Sequence, residues 1–384
     1  MKMSSLFLAI VGLLSLGSAT ANSAELFCDK VTPGLKRTDA VDCPSKHAWD
    51  LFLLVNHPAA DPKKGRGIPD DSKKIGDPGT TVVWETWRLS GGEVFLEAGA
   101  KPPIDFNDMT MPGAPPFGKV PERSKAALIQ AGEAHPLGGA EILFDPNDGI
   151  FQGVGGFGES RMNKATYDFV LAQGLYNLNG QQKYALEYLM GKRPLISFPP
   201  ESMEVKAAWI ELTDDQIKKG EDKKYYLADY KGKKYGLVGL HILTKDLPNW
   251  FWATFHHKDH PTEKFDKGVE TKDVLGPPDV LKGTVWENYK LGGTQIDFVD
   301  LIGNPTMLSD AYIEAGFVKS SCISCHAYAT ASPLTGEGAR GHRQKVQLGA
   351  PLPSDFRTSD GQVGYVPLDF LFSLPFRAQW DPKQ

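Results

Sequence analysis

Near the end of the chain, Cys322-Ile323-Ser324-Cys325-His326 forms a C-x-x-C-H pattern, and the 58 residues that follow it contain no methionine. The pattern is that of c-type haem attachment. Two thiolates at this spacing reach two vinyl groups, and the histidine that follows places an imidazole on the iron. An ordinary stand-alone cytochrome c domain needs several dozen residues after the motif, ending in a methionine on the iron's other face. This tail cannot supply one. The haem is therefore expected to lean on the long N-terminal body, with motif and body as one composite unit rather than two independent domains. A stray C-x-x-C, a redox dithiol and half a zinc site are the competing readings. A structural zinc site takes four Cys/His ligands, and no second Cys pair lies nearby.

The N-terminus reads as an export signal. Lys2 precedes an apolar run from Leu6 to Leu16, and Ala19-Thr20-Ala21 offers a small-x-small cleavage site, so residues 1–21 are expected to be a signal peptide. The run is too short to span a bilayer, which takes roughly 20 apolar residues. Phe27 stands before Cys28 where lipid attachment would want a small residue. The expected location is the periplasm, with no membrane span after cleavage. Cys28 and Cys43 are then the leftover thiols of an exported chain and are expected to pair. Closing that loop of about 15 residues would contribute roughly 3 kcal/mol. A redox-active pair would want the C-x-x-C spacing that these two lack.

Residues 22–384 read as a single domain, with the haem-attachment segment over 305–384. The formal charge of −5 becomes −6 once Lys2 leaves with the leader. With no basic stripe, nucleic acid is not the expected partner. The 40 glycines and 28 prolines imply many turns.

The expected fold class is α+β: a β-rich meander body with flanking helices and the haem c segment at the C-terminus. Ser45 to Asn56 carries Trp49, Phe52 and Leu53 at helical spacing, with Pro58 as a stop. Further helices are expected over Glu122–Glu133 and from Ala165 to about Tyr188, with a break near Gly180. Residues from Lys101 to Pro121 read as irregular cover. Four strands are expected at Glu204–Leu212, Lys224–Tyr230, Tyr235–Thr244 and Trp250–Phe255, rich in β-branched and aromatic residues. From Ser309 a short helix with Tyr312, Ile313 and Phe317 on one side is expected to lead to Cys322. Gly153-Val154-Gly155-Gly156-Phe157-Gly158 satisfies G-x-G-x-x-G, yet no acid stands about 20 residues on to hold a ribose, and a glycine-rich turn is the better reading.

His326 is the expected proximal iron ligand. For the sixth position the candidates are His342, the only histidine after the motif; His257, in the cluster His256, His257 and His260; His241, inside an apolar strand; and Met307, before the motif. An open site ranks level with a histidine, and methionine below both. Arg340 and Arg343 are candidates for the haem propionates.

Several segments resemble an uncharacterised family of exported bacterial monohaem c-type cytochromes: Ala48-Trp49 through Leu51-Phe52 to Asn56, Val83-Trp84-Glu85-Thr86-Trp87, Leu237-Val238-Gly239-Leu240-His241, Trp252-Ala253-Thr254-Phe255 with His257 and Asp259, and Ser321-Cys322-Ile323-Ser324-Cys325-His326. The family favours Glu and Asn where this chain has His256 and His260, whereas His241 and His257 match. The resemblance implies one covalent haem c and electron transfer with a periplasmic or membrane-bound redox partner. The alternative is a haem enzyme or gas-binding protein acting on a small oxygen or nitrogen species. For that, the β-rich layout of P460-type cytochromes is a loose parallel, and a shared layout does not fix function.

Overall fold

The computed structural model describes residues 36–108, 142–143, 156–230, 232–260, 275–310, 312–314, 320–341, 348–359 and 361–383. The expected helix at Glu122–Glu133, the signal peptide and Cys28 lie outside the described residues.

The core is an antiparallel sheet. In chain order its strands are β1 (Arg88–Leu89), β2 (Ile142–Leu143), β3 (Gly156–Met162), β4 (Met203–Glu211), β5 (Leu227–Tyr230), β6 (Lys233–Thr244), β7 (Phe251–His257) and β8 (Tyr289–Gln295). Among the described residues they form one eight-stranded sheet in the order β1-β3-β4-β6-β7-β8, with β2 also on β3 and β5 also on β6. The expected meander is present, with mixed α and β structure. Its two flanking strands, β3 and β8, are additions to the expectation. Gly156 and Gly158 lie in β3, in register with Ile210 and Ala208, so this part of the glycine run is strand rather than turn. The short strands β9 (Thr330–Ala331) and β10 (Val366–Pro367) pair separately.

Register partners on neighbouring strands share a face, and this sorts the two sides of the sheet. Ala207, Leu240, Phe255 and Leu291 are successive partners on one face. After a short helix α1 (Asp39–Asp42), helix α2 (Pro44–Val55) covers that face. Pro44 opens α2 at a position where its missing N–H costs nothing. Trp49 and Phe52 then meet Phe255 with ring centroids 5.0 and 4.6 Å apart, and Trp49 donates to the Leu275 carbonyl at 2.8 Å. Asn56 ends the helix and accepts from the Trp84 indole at 3.1 Å.

The expected long helix is two: α3 (Lys164–Ala172) and α4 (Leu178–Leu189). The break falls at Gly174, which has φ +69°, and Gly180 stays inside α4. The two glycines answer each other: a Cβ at Gly180 would sit 1.7 Å from the Gly174 carbonyl oxygen. Asn177 caps α4 by accepting from the Gly180 N–H at 2.8 Å. A short helix α5 (Asp214–Lys218) follows β4.

The segment expected as a helix from Ser309 is instead a turn as far as Glu314. The Asp310 carboxylate accepts from the Tyr312 N–H at 2.8 Å, a local bond that competes with helix formation. Phe317 lies outside the described residues. The last helices are α6 (Cys322–His326) and α7 (Ser373–Arg377).

Candidate functional site

The C-x-x-C-H motif is helix α6, and it lies on the sheet face opposite α2. Two polar anchors fix its start. Ser321 caps it by accepting from the Ser324 N–H at 3.3 Å. Gln295, the last residue of β8, accepts from the Ile323 N–H at 3.0 Å and donates to the Ser321 hydroxyl at 2.7 Å and the Thr306 hydroxyl at 2.6 Å. Leu308 supplies a third tie: its carbonyl accepts from both the Cys322 N–H and the Cys322 thiol, at 3.0 and 3.1 Å. Neither Cys322 nor Cys325 forms a disulfide; Cys322 is buried and Cys325 half-buried. Burial pushes the Cys322 thiol well above its ordinary range.

His326 is 9% exposed and held at both nitrogens. Nδ1 lies 2.8 Å from the Phe370 carbonyl oxygen and Nε2 lies 3.3 Å from the Lys206 ammonium. A carbonyl only accepts and an ammonium only donates, so the tautomer follows from the network: Nδ1 carries the proton and Nε2 presents its lone pair. Burial chiefly, with Lys206 beside it, keeps the imidazole neutral. Trp252 packs edge-on against the ring, with centroids 4.6 Å apart.

The Phe370 carbonyl reaches Nδ1 because the backbone there runs through the left-handed region twice. Asp369 has φ +50° and Phe370 φ +66°, a conformation that L-residues adopt at a cost of about 1–3 kcal/mol each. The Asp369 carboxylate is clamped by the Lys245 ammonium at 2.6 Å and the Phe198 N–H at 2.7 Å. Lys245 is also bonded to the Pro248 carbonyl at 2.7 Å.

The sixth-ligand candidates divide. His257 stacks on Tyr225 at 4.0 Å. One of its nitrogens donates to the Lys224 carbonyl at 3.1 Å and the other accepts from the Asp259 N–H at 3.2 Å. It is a structural histidine, its pKa pulled down to about 4, chiefly by burial. His260 is similarly held between the Tyr225 and Tyr312 hydroxyls, at 2.8 and 2.9 Å. His256 is buried beside Gly292. Met307 is half-buried next to Leu308. His241 is the direct register partner of Lys206; its Nδ1 lies 3.5 Å from Glu314 Oε1, and its buried Nε2 has no hydrogen-bond partner. His342 and Arg343 lie outside the described residues. The Arg340 guanidinium is engaged by Glu337 and by the Pro375 and Phe376 carbonyls. Cys43 stands between α1 and α2 as the N-cap of α2, while its expected partner Cys28 is outside the described residues.

Sequence reasoning passed over Lys206, Gln295, Lys245, Asp369 and Phe370. Lys206 did leave a signal, as the one cation in the otherwise apolar run Val205 to Ile210. The Phe370 contribution is a backbone carbonyl and leaves none.

These residues fit a c-type haem: two thiols at attachment spacing, neither in a disulfide, and a neutral imidazole whose far nitrogen is fixed by a carbonyl, as metal-bound histidines usually are. Among the described residues no group of three or more His, Cys, Asp or Glu is placed to hold a metal ion. No helix among them is long and apolar enough to cross a membrane. Neither a protein-family model, a curated protein nor a solved structure matches the chain.

Proposed function

We propose that the chain is an exported monohaem c-type cytochrome that takes and gives single electrons. In this reading Cys322 and Cys325 hold the haem through thioether bonds, His326 is its proximal ligand, and the bound group supplies a one-electron iron couple. The observation that carries the reading is His326 itself. A C-x-x-C-H histidine with Nδ1 committed to the Phe370 carbonyl keeps the Nε2 lone pair for a metal once the flexible Lys206 side chain, its present partner at 3.3 Å, swings aside. The sheet face around it excludes water, and a low-dielectric setting strengthens every charge effect on a redox centre. The resemblance to exported monohaem cytochromes is part of the same proposal. So are the periplasmic location, the Cys28–Cys43 disulfide and a periplasmic or membrane-bound redox partner.

The test is chemical. Protein made with the c-type maturation machinery should keep its haem through acid-acetone extraction and give the alkaline pyridine spectrum of thioether-linked haem. Cys322→Ala together with Cys325→Ala should release it. Covalent haem that survives in the double variant, or a wild-type chain that never acquires haem, would overturn the reading.

A further inference from the structure

Resting on the haem reading, we infer that His241 is the second axial ligand of the iron and that Glu314 is the residue that positions it. In both histidines Nδ1 faces an oxygen and Nε2 turns the other way. His326 gives Nδ1 to a backbone carbonyl and turns Nε2 toward Lys206. His241 turns Nδ1 toward the Glu314 carboxylate, 3.5 Å from its Oε1. A carboxylate beside Nδ1 favours the proton there and the lone pair on Nε2, and Nε2 is buried without a hydrogen-bond partner in a residue only 4% exposed. A buried acceptor left unmatched is costly unless something absent from the bare chain satisfies it. A histidine whose remote nitrogen faces a carboxylate is the usual arrangement of a metal-bound imidazole.

Lys206 links the two rings. It is the register partner of His241 across β4 and β6, and the side chains of such partners stand on the same face about 5 Å apart. Its ammonium touches His326 Nε2. The side chain of His241 therefore stands on the sheet face that His326 packs against, with one long and flexible side chain between them.

Glu314 is set for its part by its own turn. Its other carboxylate oxygen accepts from the Asp310 N–H at 2.6 Å, and its own N–H donates to the Asp310 carbonyl at 2.7 Å. His257 and His260 compete poorly, since both nitrogens of each are already committed. Lys206 is the rival, since its nitrogen already faces His326. As a ligand it would have to lose its proton, whereas His241 Nε2 is a free lone pair as it stands.

Optical and EPR spectra of the oxidised holoprotein decide between them. The wild type should be low-spin and indifferent to azide. His241→Ala should convert the haem to a high-spin form that binds azide, and added imidazole should restore the low-spin spectrum. His241→Leu, close in shape, repeats the test should the alanine variant fold poorly. Lys206→Met should remain low-spin. Glu314→Gln should also stay low-spin but shift the EPR g-values, because it changes the bond to Nδ1 without removing the ligand; a loss of packing alone would not move them. High-spin iron in the wild type, low-spin iron retained in both His241 variants, or a spin change in Lys206→Met but not in His241→Leu would each overturn the assignment. In all three of those outcomes the haem survives acid-acetone, so they are distinct from failure of the haem reading, in which no covalent haem forms.

Discussion

Replacing Asp369 by Ala removes the clamp that turns the Phe370 carbonyl toward His326. Three terms are lost together. The first is the ion pair with Lys245, at 2.6 Å with both side chains 8% exposed; removing one partner of a buried pair costs about 3–5 kcal/mol. The second is the acceptor for the Phe198 N–H at 2.7 Å, for which an unmatched buried donor costs about 1–3 kcal/mol. The third is the left-handed conformation at residue 369, φ +50°, where a short polar side chain is tolerated better than alanine. These terms share partners and do not add in full, so the expected loss is about 4 kcal/mol in denaturant unfolding followed by tryptophan fluorescence. Asp369→Asn keeps an acceptor and a residue suited to positive φ, losing only the charge, and should cost about 1–3 kcal/mol. Lys245→Met combined with Asp369→Asn should show a coupling of roughly 1–3 kcal/mol in a double-mutant cycle. The site should respond as well: with the Phe370 carbonyl released, the iron–histidine stretching band of the reduced alanine variant should move to lower frequency. An alanine variant within about 1 kcal/mol of wild type, or one with an unchanged band, would refute the reasoning.

Two more tests concern the body. Glu85 is held neutral up to about pH 7, chiefly by burial, while Tyr226 donates to its carboxylate and Val82 N–H does so at 3.1 Å. A folded pKa above the ordinary 4.5 means that its contribution is complete below pH 4.5 and is lost as pH rises through 7; the loss is at most about 3 kcal/mol. Glu85→Gln should flatten the stability profile across that window, and a wild-type profile already flat there would contradict it. Gly180→Ala should destabilise the protein in thermal melts despite alanine's helix preference of about 1 kcal/mol, because its Cβ would sit 1.7 Å from the Gly174 carbonyl oxygen; a stabilised variant would count against that close approach.

The central strands β4, β6 and β7 were legible because both of their faces are buried, so apolar and aromatic residues run almost without interruption. Strand β3 was not, since it buries Glu159 and Arg161 against each other at 2.9 Å, and charges that neutralise one another read as surface until the fold is known. Strand β8 was masked by Gly292-Gly293, where the register slips past Thr254 and Phe255. The motif helix was legible from five residues. The partner of its histidine was not, because a carbonyl 44 residues downstream belongs to backbone geometry rather than to any side chain. His241 stood out as a histidine in an apolar strand, but Glu314, which gives it an orientation, becomes visible only once the turn at Asp310 replaces the helix expected there.

The bond from the Cys322 thiol to the Leu308 carbonyl also bears on the order of events in making the protein. In the closed fold that sulfur is packed away and its ionisation suppressed, and the thiolate is the reactive form. On the proposed reading, attachment must precede closure. The maturation machinery would have to act on a chain whose last segment is still open, before Phe370 folds back onto His326. The cofactor would then be built into the final folding step, and a chain that closed early would be a dead end rather than a reserve of apoprotein awaiting haem.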